Sequence, residues 1–187
     1  MSWSSFIGDA PKEHHSTTQK GVELLAPQHD LKALDIGAGN GRDSKYLAEL
    51  GLDVTAVDIS EASAGQLRGH ESIRFVCGDI CHFSLERYHL INASLVLPFI
   101  PQDSFRALWP RLLEALEPGG VFCGHFFGIR DWKVQDNLAW GLERTAIMKL
   151  LEPLNVEAFE EHLGDGPNQT GQTVRKHNYG IVARVAA

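Results

Sequence analysis

The chain has 187 residues, a formal net charge of −7 and 43% hydrophobic residues, a length and composition that suit one soluble domain with a sizeable core. The acidic balance, with no Lys/Arg cluster of useful length, excludes the basic footprint of a nucleic-acid binder. No apolar run approaches membrane-spanning length, and the opening "MSWSSFIGDAPKEHH" lacks the apolar stretch of a secretory signal, so a cytoplasmic protein is expected.

Strand-like and helix-like segments alternate, with Gly or Pro at the joints. "LKALDIG" (31–37) reads as a buried strand and "GRDSKYLAEL" (41–50) as a helix with Tyr46, Leu47 and Leu50 on one face. "DVTAVDIS" (53–60) is a second strand. A short helix follows, with Ser60 as its candidate N-cap. "SIRFVCGD" (72–79) is a third strand and the nearly all-apolar "YHLINASLVL" (88–97) a fourth, of the kind covered on both faces in a parallel sheet. "QDSFRALWPRLLEALEPGG" has helical spacing, with a kink or a fresh start at Pro110 and an end at Pro118-Gly119-Gly120. "VFCGHFF" (121–127) is a fifth strand. A linker, "GIRDWKVQDN", and a helix within "LAWGLERTAIMKLLEP" come next. The last two strands, "NVEAFEEHL" and "VRKHNYGIVARV", have only a Gly-rich loop between them, so they form a hairpin and the final strand is antiparallel. The expected fold is therefore α/β: a Rossmann-like three-layer sandwich around a seven-stranded, mostly parallel sheet. One domain is expected over 1–187, with an N-terminal helical segment at 1–29 and the core at 30–187.

The three cysteines, Cys77, Cys81 and Cys123, form an odd set that fits reduced thiols. No second Cys/His pair completes a metal site around Cys77 and Cys81, which read as buried strand thiols.

"LDIGAGNGRDS" (34–44) carries the chemistry. Gly41 is followed by Arg42-Asp43 rather than Lys-Ser/Thr, so the stretch is not a P-loop. A nicotinamide fingerprint needs G-x-G-x-x-G, and Gly41 comes one residue early for it. Asp58, at the end of the second strand, lies nineteen residues beyond Gly39. A carboxylate there can accept hydrogen bonds from both hydroxyls of a ribose. Asp35, just before the glycines, adds negative charge where a pyrophosphate would lie and favours a ligand with a cationic end.

These residues resemble the class I methyltransferases that use S-adenosylmethionine. "LDIGAGNGRDSKYLAELGLDVTAVDIS" is similar to their first motif and second-strand acid, "VCGDI" to their third-strand end, and "ALEPGGVF" to the joint before their fifth strand. The resemblance covers roughly residues 30 to 185. It implies that Gly37, Ala38, Gly39, Asn40 and Gly41 let the backbone approach the cofactor. Asp35 then holds its ammonium group, Asp58 its ribose, and Ile59, Asp79 and Ile80 its adenine. Within the superfamily the chain most resembles short bacterial enzymes of the tellurite-resistance type, through "GNGRDSKYLAELG" and the ending "KHNYGIVAR", in which Tyr179 replaces that group's second histidine. The implied function is methyl transfer to a small-molecule acceptor, by a monomer or homodimer without nucleic-acid or membrane partners. A non-catalytic module binding the same nucleoside and a nicotinamide oxidoreductase are the alternatives.

Acceptor groups belong beyond the carboxyl ends of the strands. Leu97-Pro98-Phe99 stands where enzymes acting on nucleic-acid bases commonly carry an Asn/Asp-Pro-Pro-aromatic run, so a base acceptor is disfavoured. Phe99, His125, Arg130 and Trp132 are the candidate substrate contacts. His125 also reads as a packed strand histidine, Arg130-Asp131 as a surface ion pair, and His14-His15 as a solvated face or helix start. In this fold the segment before the first strand often forms a lid, which makes "HHSTTQKG" a candidate for closing over the cofactor.

Overall fold

The computed structural model describes residues 13–168 and 170–186. The first twelve residues of the expected N-terminal segment lie outside the described residues.

Helix α1 (Ser16–Glu23) precedes β1 (Lys32–Ile36). Helix α2 (Arg42–Glu49), β2 (Asp53–Asp58), α3 (Glu61–Leu67) and β3 (Ile73–Cys77) follow. After a 3-10 turn at Ile80–His82 come β4 (Tyr88–Ala93), a second such turn at Leu97–Phe99, α4 (Gln102–Glu114) and β5 (Leu116–Phe127). The short α5 (Trp132–Gln135), α6 (Arg144–Leu150), β6 (Asn155–Pro167) and β7 (Thr173–Arg184) complete the chain. The strand order is β3-β2-β1-β4-β5-β7-β6. Neighbours from β3 through β5 pair in parallel, and β7 is antiparallel to both β5 and β6. The sheet therefore reverses only at its last strand in sequence, as expected. Its topological switch point lies between β1 and β4, where an open α/β sheet leaves a crevice at the carboxyl ends of the strands.

Two apolar layers flank the sheet. Leu34, Ile36, Ile91, Phe122, Phe126 and Ile181 face α4 and α6, where Phe105, Leu108, Trp109, Leu112 and Ile147 meet them. Ala33, Val54, Ala56, Leu90, Cys123 and Val182 face the other way, against Leu47 of α2 and Leu67 of α3. Alternation along each strand assigns side chains to these two layers. Helix α1 lies on the second face, close enough that a Cβ on Gly21 would stand 3.0 Å from Cys123 Sγ.

Several local expectations need correction. Helix α4 runs through Pro110 and ends at Glu114. Pro118-Gly119-Gly120 lie inside β5, not at a helix end. The β4–β5 register shifts between Tyr88 and Leu90 there, and such an irregularity accommodates a proline that cannot donate to a ladder. Strand β4 stops at Ala93, and Leu95 just beyond it has φ of +57°, a left-handed conformation that is costly for a branched side chain. The final hairpin pairs from Asn155↔Arg184 to Pro167↔Thr173, so its loop is shorter than the Gly-rich stretch suggests. Leu50 is exposed rather than part of the buried face of α2, and Cys77 is exposed rather than a buried strand thiol.

Candidate functional site

The glycine loop joins β1 to α2 with a backbone that only glycine adopts cheaply. Gly37, Gly39 and Gly41 have φ of +70°, +55° and +76°. Two of the three are also sterically confined. A Cβ on Gly37 would meet Val96 at 2.5 Å, and one on Gly41 would meet Leu67 at 2.3 Å. On Gly39 it would meet nothing closer than Gly37 O at 3.8 Å, so the loop is open at its middle glycine. Gly37 and Ala38 donate to Val57 O at 2.8 and 3.3 Å, and Gly41 donates to Ala38 O at 2.8 Å. Asn40 Oδ1 accepts from Arg42 N at 3.3 Å.

Asp58 fastens this loop to the start of α3. One carboxylate oxygen accepts from Gly39 N at 2.9 Å and the other from Ser60 N at 2.8 Å. Each oxygen keeps a lone pair for a further donor. Ser60 occupies the N-cap of α3, but its side chain makes no capping bond. Ile59, beside Asp58, is 62% exposed. A large aliphatic side chain open to solvent beside a carboxylate and a bare backbone loop is a surface for an apolar ring face. An open loop at Gly39, a carboxylate with lone pairs to spare and an exposed apolar side chain therefore lie side by side.

Asp79 caps the 3-10 turn, accepting from Cys81 N at 2.8 Å. That bond, aided by His82, holds its carboxyl below the usual range although partial burial opposes it. Its turn-forming role is therefore present in the fold. Ile80 is buried in the core layer under α4, so its side chain is not free to pack on a ligand.

Beneath the loop lies a buried polar network that sequence reasoning missed. Asp35 is 2% exposed, and its carboxylate accepts from Asn92 Nδ2 at 2.7 Å and Ser44 Oγ at 2.5 Å. Burial, reinforced by the neighbouring Asp43, pushes its pKa up to about 7. Asp35 thus sits below the glycine loop with both oxygens engaged, a carboxyl that a nearby cation would help to ionise. Asp43 accepts from the His15 backbone N–H at 2.8 Å and lies 2.7 Å from His15 Nδ1. The Thr18 hydroxyl stands 3.0 Å from Asp43 Oδ1 and 3.2 Å from Asn92 Oδ1, and its single proton serves one of them at a time. Burial works against the Asp43 charge, but the His15 hydrogen bonds and Arg42 outweigh it and hold the carboxyl below its ordinary value. This network ties α1 to β1, α2 and β4. Its sequence signals were a lone Asn92 within an apolar strand and the polar pair Asp43-Ser44 on the inner side of α2.

The acceptor-side candidates gather where β4 and β5 end. His125 on β5 is half-buried, its ring centroid is 5.1 Å from that of His15, and its Nδ1 has no partner among the described residues. Burial lowers its pKa to about 3, so it is neutral. Phe99 meets Phe127 edge-on at 5.5 Å. The Lys133 ammonium lies 4.4 Å from the Phe127 ring centre and 5.2 Å from that of half-buried Trp132. Arg130 is exposed and forms no surface pair with Asp131. Asp131 is instead 1% exposed and accepts from Lys133 N, Lys133 Nζ and His177 N at 3.0, 3.3 and 3.0 Å. It caps α5 and fixes it to β7. His177 Nε2 and Tyr179 Oη both approach Glu161 Oε1, at 3.0 and 3.3 Å. The structure thus links Phe99 and Trp132 through Phe127 and Lys133, sets His125 beside His15, and leaves Arg130 exposed.

Comparison with known proteins agrees with this geometry. A family described as "Methyltransferase domain" matches residues 33–120. Carboxy-S-adenosyl-L-methionine synthase of Aeromonas salmonicida is 29% identical over 60% of this chain and 49% of its own length. "Probable S-adenosyl-L-methionine-dependent methyltransferase TehB" of Haemophilus influenzae is 29% identical over 57% of this chain and 38% of its own. The chain therefore matches less than half the length of these curated relatives. Among solved structures, the TehB crystal structure superposes with a TM-score of 0.76 at 20% identity, covering 92% of this chain and 62% of that one. The N-methyltransferase NodS of Bradyrhizobium japonicum, in complex with S-adenosyl-L-homocysteine, superposes at 0.73 and 21% identity, covering 97% and 91%. Residues 33–120 thus resemble the methyltransferase-domain family, and the sheet has the fold of these solved methyltransferase structures.

Proposed function

We propose that this protein transfers the methyl group of S-adenosylmethionine to a small-molecule acceptor. One observation carries the reading: Asp58 reaches Gly39 N and Ser60 N at 2.9 and 2.8 Å, beside the exposed Ile59 and a loop open at Gly39. Gly37, Gly39, Gly41, Asp58 and Ile59 hold the nucleoside, and the buried Asp35 supplies negative charge behind its cationic end. The bound cofactor supplies an electrophilic methyl on a sulfonium, a good leaving group. The protein's task is therefore to align the acceptor and exclude water. Half-buried Phe99 and Trp132, held through the buried Phe127 and Lys133, offer apolar faces against which a small acceptor packs.

Mass spectrometry tests this with a panel of small hydroxyl, thiol and amine compounds and metalloid oxyanions. The proposal expects at least one to gain a methyl group, dependent on S-adenosylmethionine. Tight cofactor binding with no product across a broad panel favours a non-catalytic binding module instead.

A further inference from the structure

Several features outside the nucleoside seat are self-contained. His177 has Glu161 at Nε2 and accepts from the Arg130 backbone N–H at Nδ1, so both of its nitrogens are taken by groups of the fold, and Lys133 is balanced by Asp131. His15 differs in that its second nitrogen meets a side chain that can move. Its backbone N–H and its Nδ1 both engage one carboxylate, Asp43, at 2.8 and 2.7 Å. Two contacts to one carboxylate fix the imidazole ring in orientation and in tautomer. An ionised Asp43 only accepts, so Nδ1 must carry the proton. The other nitrogen, Nε2, lies 2.5 Å from Arg42 Nη2. A guanidinium only donates, so Nε2 there presents its lone pair. A buried carboxylate at Nδ1 with Nε2 turned to accept is the arrangement of a general base.

The location is suited to this chemistry. Asp35 is level with Asn92, and Asn92 with Cys123, in adjoining strands. Two residues further on, Gly37 and His125 therefore stand at the same height, where the sheet ends. The His15 ring lies 5.1 Å from the His125 ring, and its partners Arg42 and Asp43 directly follow Gly41. His15 thus overhangs the boundary between the glycine loop and the ends of β4 and β5. The charged and titratable groups facing it are Asp43 and Arg42 from α2 and His125 from β5, with His14 beside it stacked on Tyr46 at 3.6 Å. His125, which the sequence nominates as a base, lacks any carboxylate partner.

We propose that His15 is the catalytic base of the methyl transfer, oriented by Asp43, and that the acceptor is a hydroxyl or thiol that still carries its proton at neutral pH. This rests on the methyltransferase reading above. As the acceptor atom bonds to the methyl carbon, its proton passes to His15 Nε2, and the carbon–sulfur bond electrons stay with the departing sulfur. The imidazolium so formed is balanced by Asp43 and returns its proton to water when product leaves. Arg42 Nη2 occupies the position that the acceptor's O–H or S–H would take and must swing aside for it.

The test combines a spectroscopic and a kinetic arm on the full chain. Nitrogen-15 NMR of the imidazoles, with the His15 signal assigned by its loss in His15→Asn, should find His15 protonated on Nδ1 and bare on Nε2. Asp43→Asn should abolish that preference. The Asn side chain of His15→Asn can donate to Asp43 from the place of Nδ1, so this variant should keep S-adenosylhomocysteine affinity within about threefold. Its turnover of a hydroxyl or thiol acceptor from the panel should fall by about 10²–10⁴-fold. A proton resting on Nε2 of the wild type overturns the proposal, as does unchanged turnover by His15→Asn. If the wild type fails to bind S-adenosylhomocysteine, the methyltransferase reading falls and takes the base with it. If it binds and only the tautomer or the turnover result is wrong, the base alone falls.

Discussion

Asp35 is a buried acid whose protonation is coupled to folding. Placed under the glycine loop with Asp43 nearby, its carboxyl has a pKa of about 7 against an ordinary 3.8. An acid held above its unfolded value binds its proton more tightly in the folded state. Its contribution to stability is fully present below about pH 4 and is lost as the pH rises toward about 7. Asparagine at this position cannot titrate. Urea denaturation of Asp35→Asn should therefore show it gaining stability relative to wild type as the pH rises through this window. Parallel stability curves would contradict the buried, proton-holding state.

Among the elements, α5 depends on a single carboxylate. This four-residue helix has no buried side chain of its own, and it is too short to persist alone. Asp131 caps its first turn and bonds His177 N of β7, while Gly128 N bonds His177 O. Removing Asp131 leaves the His177 N–H without its acceptor and half-buried Lys133 without its counter-charge. Asp131→Ala should cost about 2–4 kcal/mol, read as a lowered Tm, and should disorder the Trp132 side of the rim. A Tm equal to that of wild type would mean that α5 is held by something else. The elements also mark what the sequence could reveal. The glycine loop, the strand count and the reversed last strand were legible because they rest on short-range spacing and on strand–helix alternation. The boundaries of β4 and β5 were not, because the pairing register at Tyr88 decides where Pro118 falls. The His15–Asp43 and Thr18–Asn92 contacts join residues 28 and 74 positions apart, and only the docking of α1 on the sheet brings them together. Ile80 shows the converse: a motif fixes a residue's place in the chain, but packing into the core layer takes its side chain out of reach of solvent.

At the scale of the molecule, the parallel sheet divides the labour. Its switch point between β1 and β4 opens the crevice. The glycine loop and Asp58 lie on its β2 side, and the ends of β4 and β5 lie on the other. No helix among the described residues is long and apolar enough to cross a membrane. The central claim is that this crevice seats S-adenosylmethionine through Asp58, and calorimetric titration of the intact chain with S-adenosylhomocysteine tests it most directly. The account predicts a Kd in the micromolar range for the wild type. Asp58→Ala should bind about 100-fold more weakly or not at all, since it loses charge-assisted hydrogen bonds of about 1.5–3 kcal/mol each. No heat of binding at millimolar ligand, or equal affinity in the two proteins, would contradict it.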